Sequence, residues 1–184
     1  MFGWIVKRRL DSFSRSFNYD TSYLRALYDL NPRSFWKFSR VATLAHDRGD
    51  VPREAWYAAT IAATIAEDCG PCTQLIVTMA ERAAVSPSDL RACVADDPPA
   101  MTADAALGYT FAKAVLARDM AESDRLRAEI ELRWGKKAVV SLALGIAASR
   151  TFPTVKYAMG YARACSRIRV AGTDLPVAKQ AMHA

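Results

Sequence analysis

The tetrapeptide Cys69-Gly70-Pro71-Cys72 has the clearest chemical signal in this chain. It contains two of the four cysteines, at a spacing that lets two thiols close a disulfide across one turn. At the start of a helix, free backbone N–H groups and the helix dipole stabilise a thiolate. Thiolates of lowered pKa are the nucleophiles of disulfide exchange and of thiol peroxidases. The spacing therefore indicates a redox-active pair.

Two helical segments should position this pair. Residues 54–66 are rich in alanine and read as a helix that packs closely in the core, and residues 73–84 read as a second helix. Gly70 is a natural terminator of the first helix, and Pro71 is a natural first residue of the second. The pair should therefore lie at a helix–helix junction.

The two cysteines should differ in exposure. Ile76 and Met79 follow Cys72 at helical spacing, so Cys72 falls on the apolar face and should point inward. Cys69 lies in the turn and should be the more exposed of the two. The sequence thus predicts one sheltered thiol and one accessible thiol.

The rest of the chain has helical patterns nearly everywhere and no convincing strand, which predicts a single all-α domain, a helical bundle. Residues 137–152 are apolar on nearly every side and should form the buried central helix. The other expected segments are an N-terminal arm over 1–18, helices over 20–30, 32–47, 87–95, 102–116, 123–135 and 154–168, and a loose tail over 171–184.

Charge is unevenly distributed along the chain, which has a net charge of +6. Residues 1–53 have ten basic and five acidic side chains, residues 54–110 have two and eight, and residues 111–184 have thirteen and six. The basic residues are scattered through helices and mixed with acids, which is typical of solvated faces and not of a nucleic-acid groove. The acidic middle segment surrounds the cysteine pair and argues against a strongly anionic substrate.

No segment reads as a membrane span or a signal peptide. The uncharged run Ala138–Ser149 is shorter than the roughly 20 apolar residues that a spanning helix needs. At the N-terminus, the basic residues follow the short apolar segment instead of preceding it. We therefore expect a cytoplasmic protein. In a reducing compartment a Cys-x-x-Cys pair is more often catalytic or metal-binding than structural.

Two alternatives to a redox pair on a helical scaffold are weak. A thioredoxin fold would place a strand before the motif, whereas here a helix precedes it. A structural zinc site needs four ligands, usually in two close pairs. The remaining candidates Cys93, Cys165, His46 and His183 form no second pair, and we interpret Cys93 and Cys165 as inert core residues. We expect neither a metal nor a cofactor.

The segment from Arg53-Glu54 through the cysteine pair to Ala83-Ala84-Val85-Ser86 resembles the signature region of the carboxymuconolactone decarboxylase / alkylhydroperoxidase D (AhpD-like) superfamily. The resemblance implies an all-helical fold and assembly into homo-oligomers, as dimers, trimers or hexamers. It also implies peroxidase or disulfide-linked activity, with Cys72 as the peroxidatic thiol and Cys69 as the resolving and exchanging thiol. The residues alone do not order the two cysteines.

The chain departs from that family at its proton relay. The peroxidase members have a histidine where this chain has Ile76, often a second one at Pro71, and a glutamate at the position of Tyr57. Glu54 lies one helical turn from Tyr57, and Glu67 and Asp68 immediately precede Cys69. The candidate catalytic set is therefore Cys69, Cys72, Glu54 and Glu67.

The favoured function is thiol-dependent reduction of a hydroperoxide or a partner disulfide, with a thiol reductant as partner. The competing hypothesis is an AhpD-like scaffold without peroxidase activity, with a small-molecule binding or assembly role or a decarboxylase-like activity. The basic, amphipathic residues 2–13 are interpreted as an arm against a sister subunit, and a membrane-surface role is the alternative.

Overall fold

A computed structural model of the chain describes residues 3–164 and 167–178. The described part is mostly helical, as the sequence predicts, with one short hairpin near its end. The α-helices are α1 (Gly3–Phe17), α2 (Ser22–Leu30), α3 (Pro32–Ser39), α4 (Val41–Leu44), α5 (Arg53–Ala66), α6 (Gly70–Arg82), α7 (Pro87–Ala95), α8 (Ala103–Ala117), α9 (Met120–Trp134) and α10 (Lys136–Ala158), and the strands are β1 (Arg167–Val170) and β2 (Thr173–Pro176).

The centre of the core is the contact between α5 and α8. Small residues let the two helices approach closely, and a Cβ added at Gly108 would overlap the backbone of Ala55. From Ala55 to Ile65, α5 is buried everywhere except at Tyr57. Thr60 and Thr64 lie in this buried stretch and donate their hydroxyl protons to carbonyls of their own helix. The alanine-rich helix predicted before the cysteines is thus the central one.

Side-chain caps set several helix starts. Asn31 accepts from the Ser34 amide at the start of α3, and Ser86 accepts from the Asp89 amide at the start of α7. The α9 helix begins at Met120, not at Ser123 as predicted. The Asp119 side chain accepts a hydrogen bond from the Glu122 amide and so caps the helix at this earlier position.

The predicted helix over 32–47 is interrupted in the structure. It divides at Arg40 into α3 and α4, and the chain then turns through Gly49, whose φ is +54°. The predicted arm forms α1, which lies against α2 through the ion pairs Lys7–Asp29 and Arg25–Asp11.

The predictions for residues 137–168 are wrong in two respects. The α10 helix continues through Pro153 to Ala158, so no separate helix begins after the proline, and residues 161–164 are not helical. The helix is also not the buried central one, because only one face packs against the core. The opposite face exposes Val140, Ala143, Leu144 and Ala147.

By length and composition, α10 is apolar enough to cross a membrane. The core helix of a soluble protein meets the same criterion, so this is weak evidence for a span. Gly145 of α10 lies against the Trp56 indole, where an added Cβ would meet the ring.

The hairpin corrects the prediction that the chain has no strand and that residues 171–184 are a loose tail. β1 and β2 pair antiparallel, and Ala171 and Gly172 form the turn with φ of 47° and 81°. Ile168 and Val170 alternate with exposed arginines and are buried in the core. Residues 179–184 lie outside the described part of the chain.

Candidate functional site

The cysteine pair occupies the junction between α5 and α6. The α5 helix ends at Ala66, and the left-handed residue at the turn is Asp68, with φ of 49°, and not the predicted Gly70. Cys69 is the N-cap residue of α6, and Cys72 lies in the first turn of that helix. The two cysteines form a disulfide, with their Cα atoms 5.3 Å apart. The chain thus forms a disulfide at a helix N-terminus, where a thiolate is stabilised on reduction.

Both cysteines are buried in the disulfide form. Cys72 is 4% exposed, as predicted, but Cys69 is 0% exposed, so the prediction of an accessible Cys69 is wrong. The reason is that the end of α10 and the residues after it cover the turn that contains Cys69. We refer to these residues as the cover. The Gly70 amide donates to the Arg163 carbonyl at 3.1 Å, and the Tyr157 hydroxyl donates to the Asp68 carbonyl at 2.9 Å.

A buried tyrosine and a buried lysine lie beside Cys72. The Tyr19 hydroxyl oxygen is 3.9 Å from Cys72 Sγ, and the Lys156 Nζ donates to that hydroxyl at 3.4 Å. The Lys156 ammonium also lies over two aromatic rings, 4.7 Å from the Tyr19 centroid and 5.2 Å from the Tyr23 centroid. We refer to Tyr19, Tyr23 and Lys156 as the tyrosine–lysine cluster.

Burial shifts the pKa values in this cluster. Desolvation raises the pKa of Tyr19 to about 12, and the adjacent Tyr23 hydroxyl only partly offsets it. Desolvation also lowers the pKa of Lys156; the negative charge of Asp20 opposes this shift and the positive charge of Arg163 adds to it. Tyr19 is therefore protonated at neutral pH and has a proton to donate.

Sequence reasoning missed this cluster because its members are far apart in the chain. Tyr19 precedes α2, whereas Lys156 follows more than a hundred residues later in α10. One signal was available: Ser149, Pro153 and Lys156 follow one another at spacings of four and three residues and share the buried face of α10. A lysine that continues a buried stripe is a candidate for a role beyond solubility.

The two predicted glutamates occupy different places. Glu54 lies in the first turn of α5, whereas the disulfide follows its last turn, about 20 Å away along a helix of 14 residues. Burial raises the pKa of Glu54, but hydrogen bonds, chiefly from Arg53, outweigh it and hold the pKa below its ordinary value. Glu67 lies beside the turn, and its carboxylate accepts from Arg150 Nε.

The two positions at which the family resemblance would place a glutamate and a histidine lie together. Tyr57 of α5 and Ile76 of α6 line one cavity of about 320 Å³. Trp56 and Met79 contribute apolar surface to it, and His46 lies in its wall. Ile76 is one helical turn from Cys72, so the cavity begins close to the pair.

Cys93 lies apart from the cysteine pair. Cys93 is a free buried thiol on α7, and burial, together with the charge of Asp89, raises its pKa far above the ordinary value. This environment fits the inert role predicted for it. Cys165 and His183 lie outside the described residues. Within residues 3–164 and 167–178, no cluster of three or more His, Cys, Asp or Glu side chains is arranged to hold a metal ion.

Comparisons of the chain with protein-family models, with curated proteins and with solved structures find no match. The resemblance to the AhpD-like superfamily therefore stays a prediction that depends on the residues from Arg53 to Ser86.

Proposed function

We propose that this chain is a thiol-dependent redox protein that cycles between a Cys69–Cys72 disulfide and a dithiol. The observation that supports this most strongly is the disulfide at the N-terminus of α6. A helix N-terminus favours the thiolate form, and a thiolate is the species that attacks a disulfide or a peroxide. The only other cysteine in the described part of the chain, Cys93, is buried on another helix.

The proposed reaction reduces a hydroperoxide or a partner disulfide. With a hydroperoxide, a cysteine thiolate attacks the O–O bond, becomes a sulfenic acid and releases an oxyanion, which takes a proton to give the alcohol. The second thiol then attacks the sulfenic sulfur, and the disulfide forms with release of water. A dithiol reductant supplies two electrons and two protons to restore the pair and is itself oxidised to a disulfide.

The wider setting of this proposal is an AhpD-like homo-oligomer in the cytoplasm. Oligomer formation is supported by the exposed apolar stripe on α10 and by Trp4 and Trp36, which are exposed on α1 and α3. Monomeric proteins rarely leave large contiguous apolar patches in water.

A steady-state assay tests the proposal. Purified protein is mixed with a dithiol reductant and an alkyl hydroperoxide, and peroxide loss is followed for the wild type, C69S, C72S and C93S. We expect turnover in the wild type and C93S, and loss of catalytic turnover in C69S and C72S. Equal peroxide consumption by all four proteins would contradict the proposal. E54Q and E67Q in the same assay test the two predicted glutamates.

The second candidate function is small-molecule binding without turnover. The cavity beside Ile76 favours it, because its wall combines apolar surface from Trp56 and Met79 with the polar side chains of Arg48, Arg53 and His46. A redox-inert pair together with saturable binding of a small compound that has an apolar body and a polar group, and that T60W or I76W blocks, would support this alternative.

A further inference from the structure

Lys156 is an unusual residue to find in the core. It is 1% exposed, and lysine is almost never fully buried without a partner. Among the described residues, none of the ion pairs includes it. Burying an ammonium group costs free energy, so a lysine at this position calls for an explanation.

The contacts of Lys156 lead directly to the disulfide. Its ammonium group can only donate, so it fills a lone pair of the Tyr19 hydroxyl oxygen at 3.4 Å. The Tyr23 hydroxyl also hydrogen-bonds to Tyr19 and lowers its pKa, as a donor does. The Tyr19 proton is then available for the Sγ of Cys72 at 3.9 Å. The result is a directed chain of donors, from ammonium to hydroxyl to sulfur.

We propose that Lys156 and Tyr19 form a proton relay to Cys72, which makes Cys72 the stabilised thiolate of the reduced pair. This inference rests on the proposed redox function. It also gives the two cysteines different roles that the sequence leaves open, because the described residues provide such a donor to Cys72 and none to Cys69. Tyr19 contacts the reacting sulfur and is the catalytic residue, whereas Lys156 acts through Tyr19 and is a positioning residue.

The relay has a defined task in each half of the cycle. When a reductant thiolate attacks the sulfur of Cys69, the S–S bond breaks and Cys72 leaves with the electron pair as a thiolate. Tyr19 donates a hydrogen bond to that thiolate, and the Lys156 ammonium polarises the hydroxyl. The reductant's second thiol then releases Cys69 and completes the reductant's oxidation to a disulfide.

In the oxidative half, the Cys72 thiolate attacks a hydroperoxide and breaks the O–O bond. The departing oxyanion takes the Tyr19 proton, and Tyr19 recovers a proton from Lys156. The Cys69 thiol then displaces hydroxide from the Cys72 sulfenic acid, and the thiol proton and this hydroxide form water. Lys156 is reprotonated from solvent. The chain in this way replaces the histidine that the family resemblance would place at Ile76.

Two charged side chains and two aromatic rings influence the charge of Lys156. Asp20, in the segment before α2, favours the ammonium form, and Arg163, after the end of α10, disfavours it. The rings of Tyr19 and Tyr23 offer their faces to the cation. Asp20 and the two rings favour the ammonium beside the Tyr19 hydroxyl, and Arg163 opposes them.

The test compares Y19F and K156M with the wild type in two measurements on the full chain. The first is the pH profile of Cys72 alkylation by iodoacetamide in reduced protein, read from the Cys72 peptide. The second is the dithiol–disulfide equilibrium of the pair with glutathione. Y109F and K113M are matched controls, because Lys113 Nζ lies 5.7 Å above the Tyr109 ring away from the pair.

We expect Y19F and K156M to raise the pH midpoint of Cys72 alkylation by about one unit, a tenfold change in the thiolate ratio. The glutathione equilibrium should shift toward the disulfide by up to about tenfold, which is about 30 mV for this two-electron couple. The control variants should change neither value. A Y19F protein that folds and matches the wild type in both measurements would overturn the relay, even where K156M fails to fold. A wild-type pair that does not exchange with glutathione would instead refute the redox function itself.

Discussion

At the scale of single residues, the charged side chain of Lys156 in the core should lower the stability of the folded state. Met has a similar length and no charge, so K156M should raise the free energy of unfolding by at least about 1 kcal/mol at neutral pH. For a chain of this size, that is a rise of about 2–4 °C in melting temperature. Thermal unfolding of the oxidised protein measures it, with K113M as the control for a partly exposed lysine.

The stability that K156M gains over the wild type should depend on pH in a defined direction. Burial lowers the pKa of Lys156 in the folded state relative to the unfolded value of 10.5. Between those two pKa values the unfolded chain binds more protons, so wild-type stability rises with pH in that window. The advantage of K156M should therefore be largest below the folded pKa and shrink as the pH approaches 10.5. A wild type that is more stable than K156M at neutral pH would contradict this account.

The sequence shows the cysteines but not their partners. Cys69 and Cys72 are recognisable because their spacing is local, and the helix start at the pair follows from Pro71. Tyr19 and Lys156 meet only after α2 and α10 have packed, so no local pattern brings them together. The exposure of Cys69 was predicted wrongly for the same reason, since its cover comes from residues after α10.

At the scale of elements, the end of α10 and the residues after it control access to the pair. The Tyr157 hydroxyl donates to the Asp68 carbonyl, immediately before Cys69. Y157F removes this hydrogen bond, worth about 1 kcal/mol, and should make opening of the cover about fivefold more favourable. We expect the disulfide to be reduced severalfold faster by dithiothreitol, as measured by stopped thiol labelling.

Tyr28, in the last turns of α2, provides the matched control for that measurement. Y28F should leave the reduction rate unchanged. Equal rates for Y157F and the wild type would mean that this contact does not limit access to the sulfurs.

The contact between α5 and α8 makes a separate prediction. G108A places a methyl group against the Ala55 backbone, which cannot move without shifting the central helix, whereas G145A meets the outer edge of the Trp56 indole, which is a side chain and not backbone. We expect G108A to destabilise the fold by about 3 kcal/mol or more and G145A by about 1–3 kcal/mol. Urea unfolding compares the two. A G108A protein as stable as G145A would show that α5 and α8 do not pack tightly at Gly108.

Helices were more predictable than the hairpin for a physical reason. Long apolar periodicities and capping residues such as Ser86 and Asp119 act locally, so helix positions follow from the sequence even where a start shifts by a turn. The β1 strand has four residues, and its alternation of arginine with Ile168 and Val170 is too short to compete with a helical interpretation. Its stability comes from burial against the helical core, which local reasoning does not include.

For the whole molecule, the exposed face of α10 is the main unexplained surface. Val140 and Leu144 are 58% and 38% exposed and lie one turn apart. In the proposed homo-oligomer, covering them would contribute about 1.5–3 kcal/mol per large side chain. L144R should therefore lower the oligomer mass in light scattering while leaving the far-UV circular dichroism unchanged.

M120R is the control for assembly, because Met120 is 68% exposed at the start of α9. It should leave the oligomer mass unchanged. A wild type that is monomeric at micromolar concentration would contradict the proposed assembly, whatever the variants do.

The central claim is that Cys69 and Cys72 are one redox couple. The most direct measurement is peptide mapping of the full chain equilibrated over a series of reduced-to-oxidised glutathione ratios, with free thiols labelled before digestion. We predict one reversible two-electron transition in which the Cys69–Cys72 disulfide replaces two labelled thiols in the same peptide, while Cys93 stays a free thiol throughout. A pair that never forms the disulfide, or an oxidised protein whose bridge includes Cys93 or Cys165, would contradict the account.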